Sequence, residues 1–540
     1  MKQRVAIPGA GQAGRKGLIF DIVISKGRII DGSGNPWYYG DVGVCGDRIE
    51  TIGDLSAASA ARVIDARGKI VCPGFMDMHA LSDIMLLAEP EHEGKIRQGI
   101  TAELLGNDGL SYAPVSPPLL QQLRRYLSGL YGNPDIDWNW TSARDFLSRF
   151  DGAAAVNVAY LIPQCVLRLG AMGWQRRSPS QREILAMQAL IEQGMEDGAV
   201  GFSTGLSYPP NSYAGTDELI QLCRAVAKHN GFYVTHMRNY FDHIFEALEE
   251  AIRIGREAQV PVMISHLKIG SARHRGRAGE ILALIDQARR EGINVTMNCY
   301  PYQAGSGPLF RLLPDWSAEG GPEAMAARLS QPTTRRRIAA YFSEADFDWR
   351  ACAIAAVGSE ANKQLEGQTF DRAIRDSAKD PVDFICDLLL QEELEVSIIN
   401  FVGDDVDTAE DIKAVMTHPA TMVCTDGLLI GRSPHPRTFG AFARYLRLYA
   451  REQRALSWEE AIRKISSLPA QQLRLQTRGL LKRGFSADIV VLDSARVSDC
   501  STFEDGRQYA AGIDQVIVNG RLTLDDGRHT GARAGRALRG

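Results

Sequence analysis

The chain predicts an α/β fold, a (β/α)8 TIM-like barrel carrying a small β-sandwich domain assembled from both chain ends. Three observations carry this. The middle of the 540-residue sequence alternates short apolar runs with amphipathic helical stretches, both ends read as strands and turns, and titratable residues recur where the apolar runs of the middle stop. Apolar positions at i, i+3 and i+4 between strands indicate βα units and a parallel sheet. The number of such units favours a closed barrel over an open sheet.

The elements follow in order. Residues 1–17, MKQRVAIPGAGQAGRKG, read as a flexible leader. Gly9, Gly11 and Gly14 mimic a dinucleotide fingerprint, but the text after them enters a strand, so no helix N-terminus is available for a pyrophosphate. Residues 18–72 alternate apolar and polar positions with glycine turns between, the signature of an antiparallel β-domain. Residues 73–470 form the barrel: VNVAYLI, AVGFSTG, FYVTHMR, PVMISHLK, NVTMNCYPY and ATMVCTDG are strands, and REILAMQALIEQGMEDG and IFEALEEAIRIGREAQV are among the helices between them. The rhythm breaks near residues 306–358 into Pro-, Gly- and Arg-rich text, read as an insertion on the face where barrels vary their loops. Residues 471–540 return to strands and complete the β-domain.

Composition narrows the function. At 45% apolar the chain can bury a large core, and its net charge is only −4. Without a basic stripe interleaved with aromatics, nucleic acid is not expected as a partner. No apolar run approaches the roughly 20 residues that span a bilayer, and the leader is not a secretory signal. Nine scattered cysteines without a CxxC pair fit reduced thiols, hence a soluble cytoplasmic protein acting on a small molecule. Oligomeric state is not legible.

In a barrel, reacting groups sit at strand ends. Five ends carry titratable residues: Asp77 and His79 in CPGFMDMHALSD, Asp108 in LLGNDG, His236 in YVTHMR, His266 in MISHLK and Asp426 in VCTDG. Singly, each has a bland explanation as a turn or a satisfied structural histidine. Together they do not, because the chain has only ten histidines. A hydrolytic zinc wants three protein ligands and one open position for water. Asp108, His236 and His266 would supply one anionic and two neutral ligands, and a bound ion lowers the pKa of water toward about 7. Asp426 would move a proton from that water to a leaving nitrogen. By strand alternation, Asp77, His79, Leu81 and Asp83 should share a face.

These stretches, with GAVGFSTGLSYPP, TDELIQLCRAVAKHNGFYVTHMR, TDGLLIGRSPHPRTFGAF and TFEDGRQYAAGIDQVIVNG, resemble the amidohydrolase superfamily and, within it, the N-acyl-D-amino-acid deacylases (D-aminoacylases). The likeness covers residues 18–540. It implies hydrolysis of the amide of an N-acylated D-amino acid, with zinc on His236 and His266 and Asp426 as general acid/base. It further implies that Arg437 of HPR holds the substrate α-carboxylate, with Lys268 and Tyr300 also binding substrate. Two departures matter. Asp108 stands where relatives carry a cysteine ligand, exchanging soft sulfur for hard oxygen and relaxing zinc selectivity. Leu81 replaces the second histidine of an H-x-H pair, removing a donor from a second metal position. One divalent ion per chain, Zn2+, is therefore expected, with His79 a polar neighbour or weak ligand. A third departure is LIPQC at 161–165, where relatives tend to carry a Gly-His segment. Two alternatives stand beside this reading. One is a hydantoin- or lactam-type cyclic amide hydrolase on the same barrel, and the other a non-catalytic scaffold whose site has decayed.

Overall fold

The computed structural model describes residues 19–402 and 405–540, so the predicted leader and its glycine fingerprint lie outside the described residues. The chain opens with β1 (Ile19–Ile29), β2 (Tyr38–Cys45), β3 (Arg48–Gly53), β4 (Ser59–Asp65) and β5 (Ile70–Pro73). It closes with β17 (Ile489–Leu492), β18 (Ile513–Val518), β19 (Arg521–Asp525) and β20 (Arg528–His529). These join in one hydrogen-bonded sheet, ordered β20-β19-β18-β17-β5-β1-β2-β3, with β4 also on β1. The junction of the two chain ends is β17 on β5, antiparallel, with Val490 opposite Cys72.

Two details differ from expectation. The sheet is mixed, because β4 and β5 both run parallel to β1. It is also one folded sheet rather than two separate ones. β1 slips register between Ile24 and Gly27, where Lys26 adopts φ +60°, and hands its partner edge from β4 to β5. A bulge of this kind bends a strand sharply, so the sheet closes over its own core of Ile22, Ile24, Val42, Val44, Val71, Ile489 and Val491.

Only Gly74 separates this sheet from the barrel. The barrel strands are β6 (Phe75–Asp77), β7 (Ile100–Leu105), β8 (Asn157–Pro163), β9 (Gly201–Gly205), β10 (Phe232–His236), β11 (Val262–Ile264) and β12 (Val295–Cys299). An excursion follows: β13 (Ala304–Pro308), β14 (Cys352–Val357) and β15 (Val396–Phe401) form a separate antiparallel sheet. The eighth barrel strand is β16 (Thr421–Val423). All seven pairings from β6 through β12 to β16 are parallel. Alternate residues such as Ala102 and Leu104, Ala159 and Leu161, and Phe232 and Val234 point inward and pack with Met76, Met263 and Met422. The interior is thus filled by side chains, as a barrel of eight strands requires.

The ring closes without a ladder between β6 and β16. Instead, the Asp426 N–H donates to the His79 carbonyl at 2.9 Å, and Leu81 bridges Leu428 just beyond the strands. Below them the Asp77 carboxylate accepts from the Thr425 N–H at 3.0 Å and the Thr425 hydroxyl at 2.5 Å. Lys95, fully buried, donates to Asp77 at 2.9 Å and to Glu103 on β7 at 2.7 Å. The break expected near residues 306–358 falls inside the excursion, which continues to β15. The helix Pro381–Gln391 followed by VSIINF repeats the rhythm of a barrel unit, which hides the later half.

Candidate metal centre and active site

Four sequence-predicted residues converge at the carboxyl ends of the barrel strands. Asp108 Oδ1 lies 3.3 Å from His79 Nε2, 3.6 Å from His266 Nε2 and 3.8 Å from His236 Nδ1. The two histidines on β10 and after β11 are 2.9 Å apart, Nδ1 of His236 to Nε2 of His266. Donors bonded to one tetrahedral ion at about 2.0–2.1 Å stand about 3.3 Å apart. Asp108, His236 and His266, at 2.9–3.8 Å, bracket that spacing, and the donor atoms of His79, Asp108 and His266 lie within 4.8 Å of one another.

Donor atoms on two of these residues are also unspent. His79 Nδ1 and Nε2 and Asp108 Oδ1 are buried and have no hydrogen-bond partner among the described residues. Buried polar atoms are nearly always paired, so the orphaned His79 Nε2 and Asp108 Oδ1, 3.3 Å apart, fit a cation between them. Protonation agrees at two of the ligands. Burial, reinforced by His266 and Arg311, holds His236 well below the ordinary histidine value against the opposing pull of Asp108. Burial would raise Asp108, but His79, His266 and His236 outweigh it and keep the carboxyl ionised. A neutral imidazole and a carboxylate are the forms that bind metal. At His79 burial is outweighed by Asp108, Asp426 and Asp77, which raise it.

The loop of Asp108 is held in an unusual shape. Gly106, Asp108 and Gly109 have φ of +76°, +56° and +62°. Gly106 is required, because a Cβ there would stand 2.2 Å from the Leu161 carbonyl oxygen; Gly205 likewise leaves room for the Asp108 carbonyl, 2.1 Å from its own would-be Cβ. His266 and Asp426 are left-handed too, at φ +31° and +48°. Such backbone costs of order 1–3 kcal/mol per residue and clusters where side chains must be aimed. Asn298 on β12 takes the His266 N–H at 2.7 Å, and Ser207 meets His236 Nε2 at 2.8 Å.

Asp426 approaches the same His79 nitrogen as Asp108, its Oδ1 3.6 Å from Nε2. Arg437 begins the helix Arg437–Tyr445 and is fully buried. Its Nη1 is 2.7 Å from Asp426 Oδ2, a close ion contact without hydrogen-bond alignment, and its Nε has no partner. Tyr300 lies between two cations, with Arg437 Cζ 4.3 Å and Lys268 Nζ 4.0 Å from its ring centre. Lys268 donates to the carbonyls of Ala304 and Tyr302, and burial, then Arg437, pushes its ammonium down to about 7.

A cavity of about 680 Å³ opens onto this group. Asp108, His236, His266, Lys268, Tyr300 and Asp426 line it, and Leu81 stands in its wall where a second imidazole was sought. Its outer wall comes from the excursion, through Ser306, Arg311, Leu313 and Asn400. Sequence reading missed Arg311: among the described residues its Nε is buried without a partner and its Nη2 meets only the Asn400 amide oxygen, at 3.3 Å. Nothing in its surrounding text, PLFRLLP, marks it. One expectation fails here. Only β6 residues up to Asp77 keep strand form, so Asp77 and Asp83 do not share the face of His79: Asp77 turns to Lys95 and Thr425, and Asp83 to Gly106 and Ser111. Gln164 of LIPQC is fully buried and outside the cavity wall.

The model of the amidohydrolase family matches residues 62–524. The chain belongs to that family. This amidohydrolase is 37% identical to an N-acyl-D-aspartate deacylase of Alcaligenes xylosoxydans xylosoxydans, over 96% of this chain and 95% of the relative. A D-aminoacylase of the same organism is 35% identical, over 96% and 97%. The solved structure of an N-acyl-D-glutamate deacylase from Bordetella bronchiseptica, complexed with zinc and a phosphonate mimic of the tetrahedral intermediate, superposes with a TM-score of 0.82. It is 31% identical and covered in full, against 97% of this chain. A dihydropyrimidinase from Brevibacillus agri NCHU1002 shares the fold alone, at 13% identity and a TM-score of 0.56. No helix among the described residues is long and apolar enough to cross a membrane.

Proposed function

We propose that this amidohydrolase cleaves the amide of N-acyl-D-amino acids with one divalent ion, zinc, held by Asp108, His236 and His266, and His79 at its side. The observation that carries this is the set of unspent donors on Asp108 and His79, facing the two imidazoles on the floor of the cavity. A bound ion supplies water activation and polarisation of the scissile carbonyl. The protein supplies the rest. Asp426 takes a proton from the attacking water and delivers it to the departing nitrogen, a transfer worth about 10²–10⁴ in rate. Arg437, Lys268 and Tyr300 gather the substrate α-carboxylate, a guanidinium being suited to bidentate capture.

The D-configuration follows the relatives named above. A single ion follows from Leu81, which offers no donor. Arg311 refines the substrate. It is a cation in the cavity wall with no carboxylate partner among the described residues, so a side chain bearing its own carboxylate is favoured, as in N-acyl-D-aspartate or N-acyl-D-glutamate. Ring opening of hydantoins is disfavoured, because the second imidazole is missing and the hydantoinase-like likeness extends to fold alone. The scaffold alternative leaves the converging, unpaired donors without a reason.

The test is metal-quantified protein offered a panel of N-acetyl-D- and L-amino acids and hydantoins. D-selective release of amino acid at about one zinc per chain is expected. Preferential hydantoin opening, or hydrolysis undiminished after exhaustive chelation, would overturn the proposal.

A further inference from the structure

Asp83 is a buried carboxyl that the chemistry above leaves unused. It is fully enclosed and no lysine, arginine or histidine pairs with it among the described residues. Its Oδ1 accepts two bonds, from the Gly106 N–H at 2.9 Å and the Ser111 hydroxyl at 2.6 Å. Those residues flank the left-handed loop that presents Asp108. Asp83 also stands four residues after His79 on one segment. One oxygen therefore ties the loop of Asp108 to the segment of His79. The second oxygen, Oδ2, is buried with no partner among the described residues, and burial raises the group to about 7. An orphaned carboxyl oxygen in a core is costly, and a residue that carries that cost calls for an explanation.

We infer that Asp83 is a positioning residue that fixes Asp108 against His79, setting the donor spacing of the metal centre through its single accepting oxygen. Other ties hold the loop in shape. Ser203 accepts from the Gly109 N–H at 3.1 Å and donates to the Gly106 carbonyl, while the Asn107 amide donates to the Leu104 and Ala80 carbonyls. Of these, the Asp83 and Asn107–Ala80 bonds connect the loop to the segment of His79, and only Asp83 does so at both ends of the loop. Its task is acceptance, not charge, and that distinguishes the variants.

The inference rests on the metal centre proposed above, and the test separates the two. Zinc affinity is measured by chelator competition with the zinc ion alone, on the full chain. Asp83→Asn keeps an oxygen for both donors and places an amide where Oδ2 was orphaned, so its affinity should stay within about threefold of wild type. Asp83→Leu has the same branched outline, though larger, and no acceptor. It should bind zinc about 10–100-fold more weakly, the usual cost of losing a partner behind a metal ligand. Ser111→Ala removes one of the two bonds without altering the core carboxyl, and a loss of about fivefold is expected. This smaller change carries the test should Asp83→Leu not fold. Wild-type affinity in Ser111→Ala and Asp83→Leu, or a loss in Asp83→Asn matching that in Asp83→Leu, would overturn the positioning role. A wild-type chain that binds no zinc would instead sink the metal centre itself.

Discussion

Replacing Lys95 with methionine should loosen the barrel at the point where its ring closes. Lys95 is the sole ion partner of Asp77 among the described residues and shares Glu103 with His92, all three side chains of the Asp77–Lys95–Glu103 group being fully enclosed. Removing one partner from a buried pair costs about 3–5 kcal/mol, because the remaining charge is stranded. Methionine fills nearly the same space, so little is added for a cavity. Unfolding entropy is about 2.1 cal/mol/K per residue, or about 1.1 kcal/mol/K for a chain of this length, which converts the loss to a fall in Tm of about 3–5 °C. The damage should also reach turnover. Asp77 grips Thr425, the residue before Asp426, while the proposed zinc ligands stand on other strands. So kcat should fall while zinc content holds and KM changes little. Calorimetry and steady-state kinetics at matched zinc loading measure both. A Tm shift below about 1 °C, or unchanged kcat, would refute the reasoning. Acid has a related effect. Burial alone would raise Glu103, but His92 and Lys95 outweigh it and hold the carboxyl low. Its contribution is therefore present above the unfolded value of about 4.3 and lost as pH falls through the folded one. Lys95→Met should flatten that decline in Tm.

Asp108→Ala should abolish zinc retention on dialysis, whereas Asp426→Asn should keep the ion and lose about 10²–10⁴ in kcat; normal zinc binding by Asp108→Ala would mean the ligands are misassigned. Asp108→Cys should raise the preference for zinc over manganese, since thiolate is the softer donor, and competition dialysis reads the ratio. Arg311→Met should reduce kcat/KM for N-acetyl-D-aspartate or N-acetyl-D-glutamate about tenfold or more while sparing N-acetyl-D-leucine, and equal losses on all three would remove Arg311 from the subsite. Chelation should silence the enzyme and about one equivalent of zinc restore it, a requirement for two equivalents counting against Leu81 as the reason for a single ion.

Much of this architecture can be read from the text because barrels place their chemistry at strand ends. His236 and His266 follow apolar runs directly, so locating the strands locates the imidazoles. Asp108 and Asp426 sit in GNDG and TDG, turns whose left-handed backbone explains their composition. Arg437 is different: nothing about HPRTFGAF in isolation foretells a buried guanidinium beside Asp426, and the family likeness was needed. Period-two reasoning failed at DMHALSD because β6 stops at Asp77, after which each side chain turns to a different neighbour. Lys95 looks like a surface residue in EHEGKIRQG, since no local pattern shows that two carboxylates await it in the core. Arg311 and Asn400 were illegible for another reason. They are brought to the cavity by β13, β14 and β15, whose pairing joins segments nearly a hundred residues apart.

That separate sheet divides labour within the molecule. The residues proposed to break the bond hang from the barrel staves, while part of the chamber's wall belongs to an appendage with its own strands and helices. Substitutions in the appendage can swap one clientele for another without disturbing the cutting edge. Diversification in this lineage should therefore be sought in residues 304–401, and grafting that stretch between relatives should transfer appetite while leaving the catalytic engine as it was.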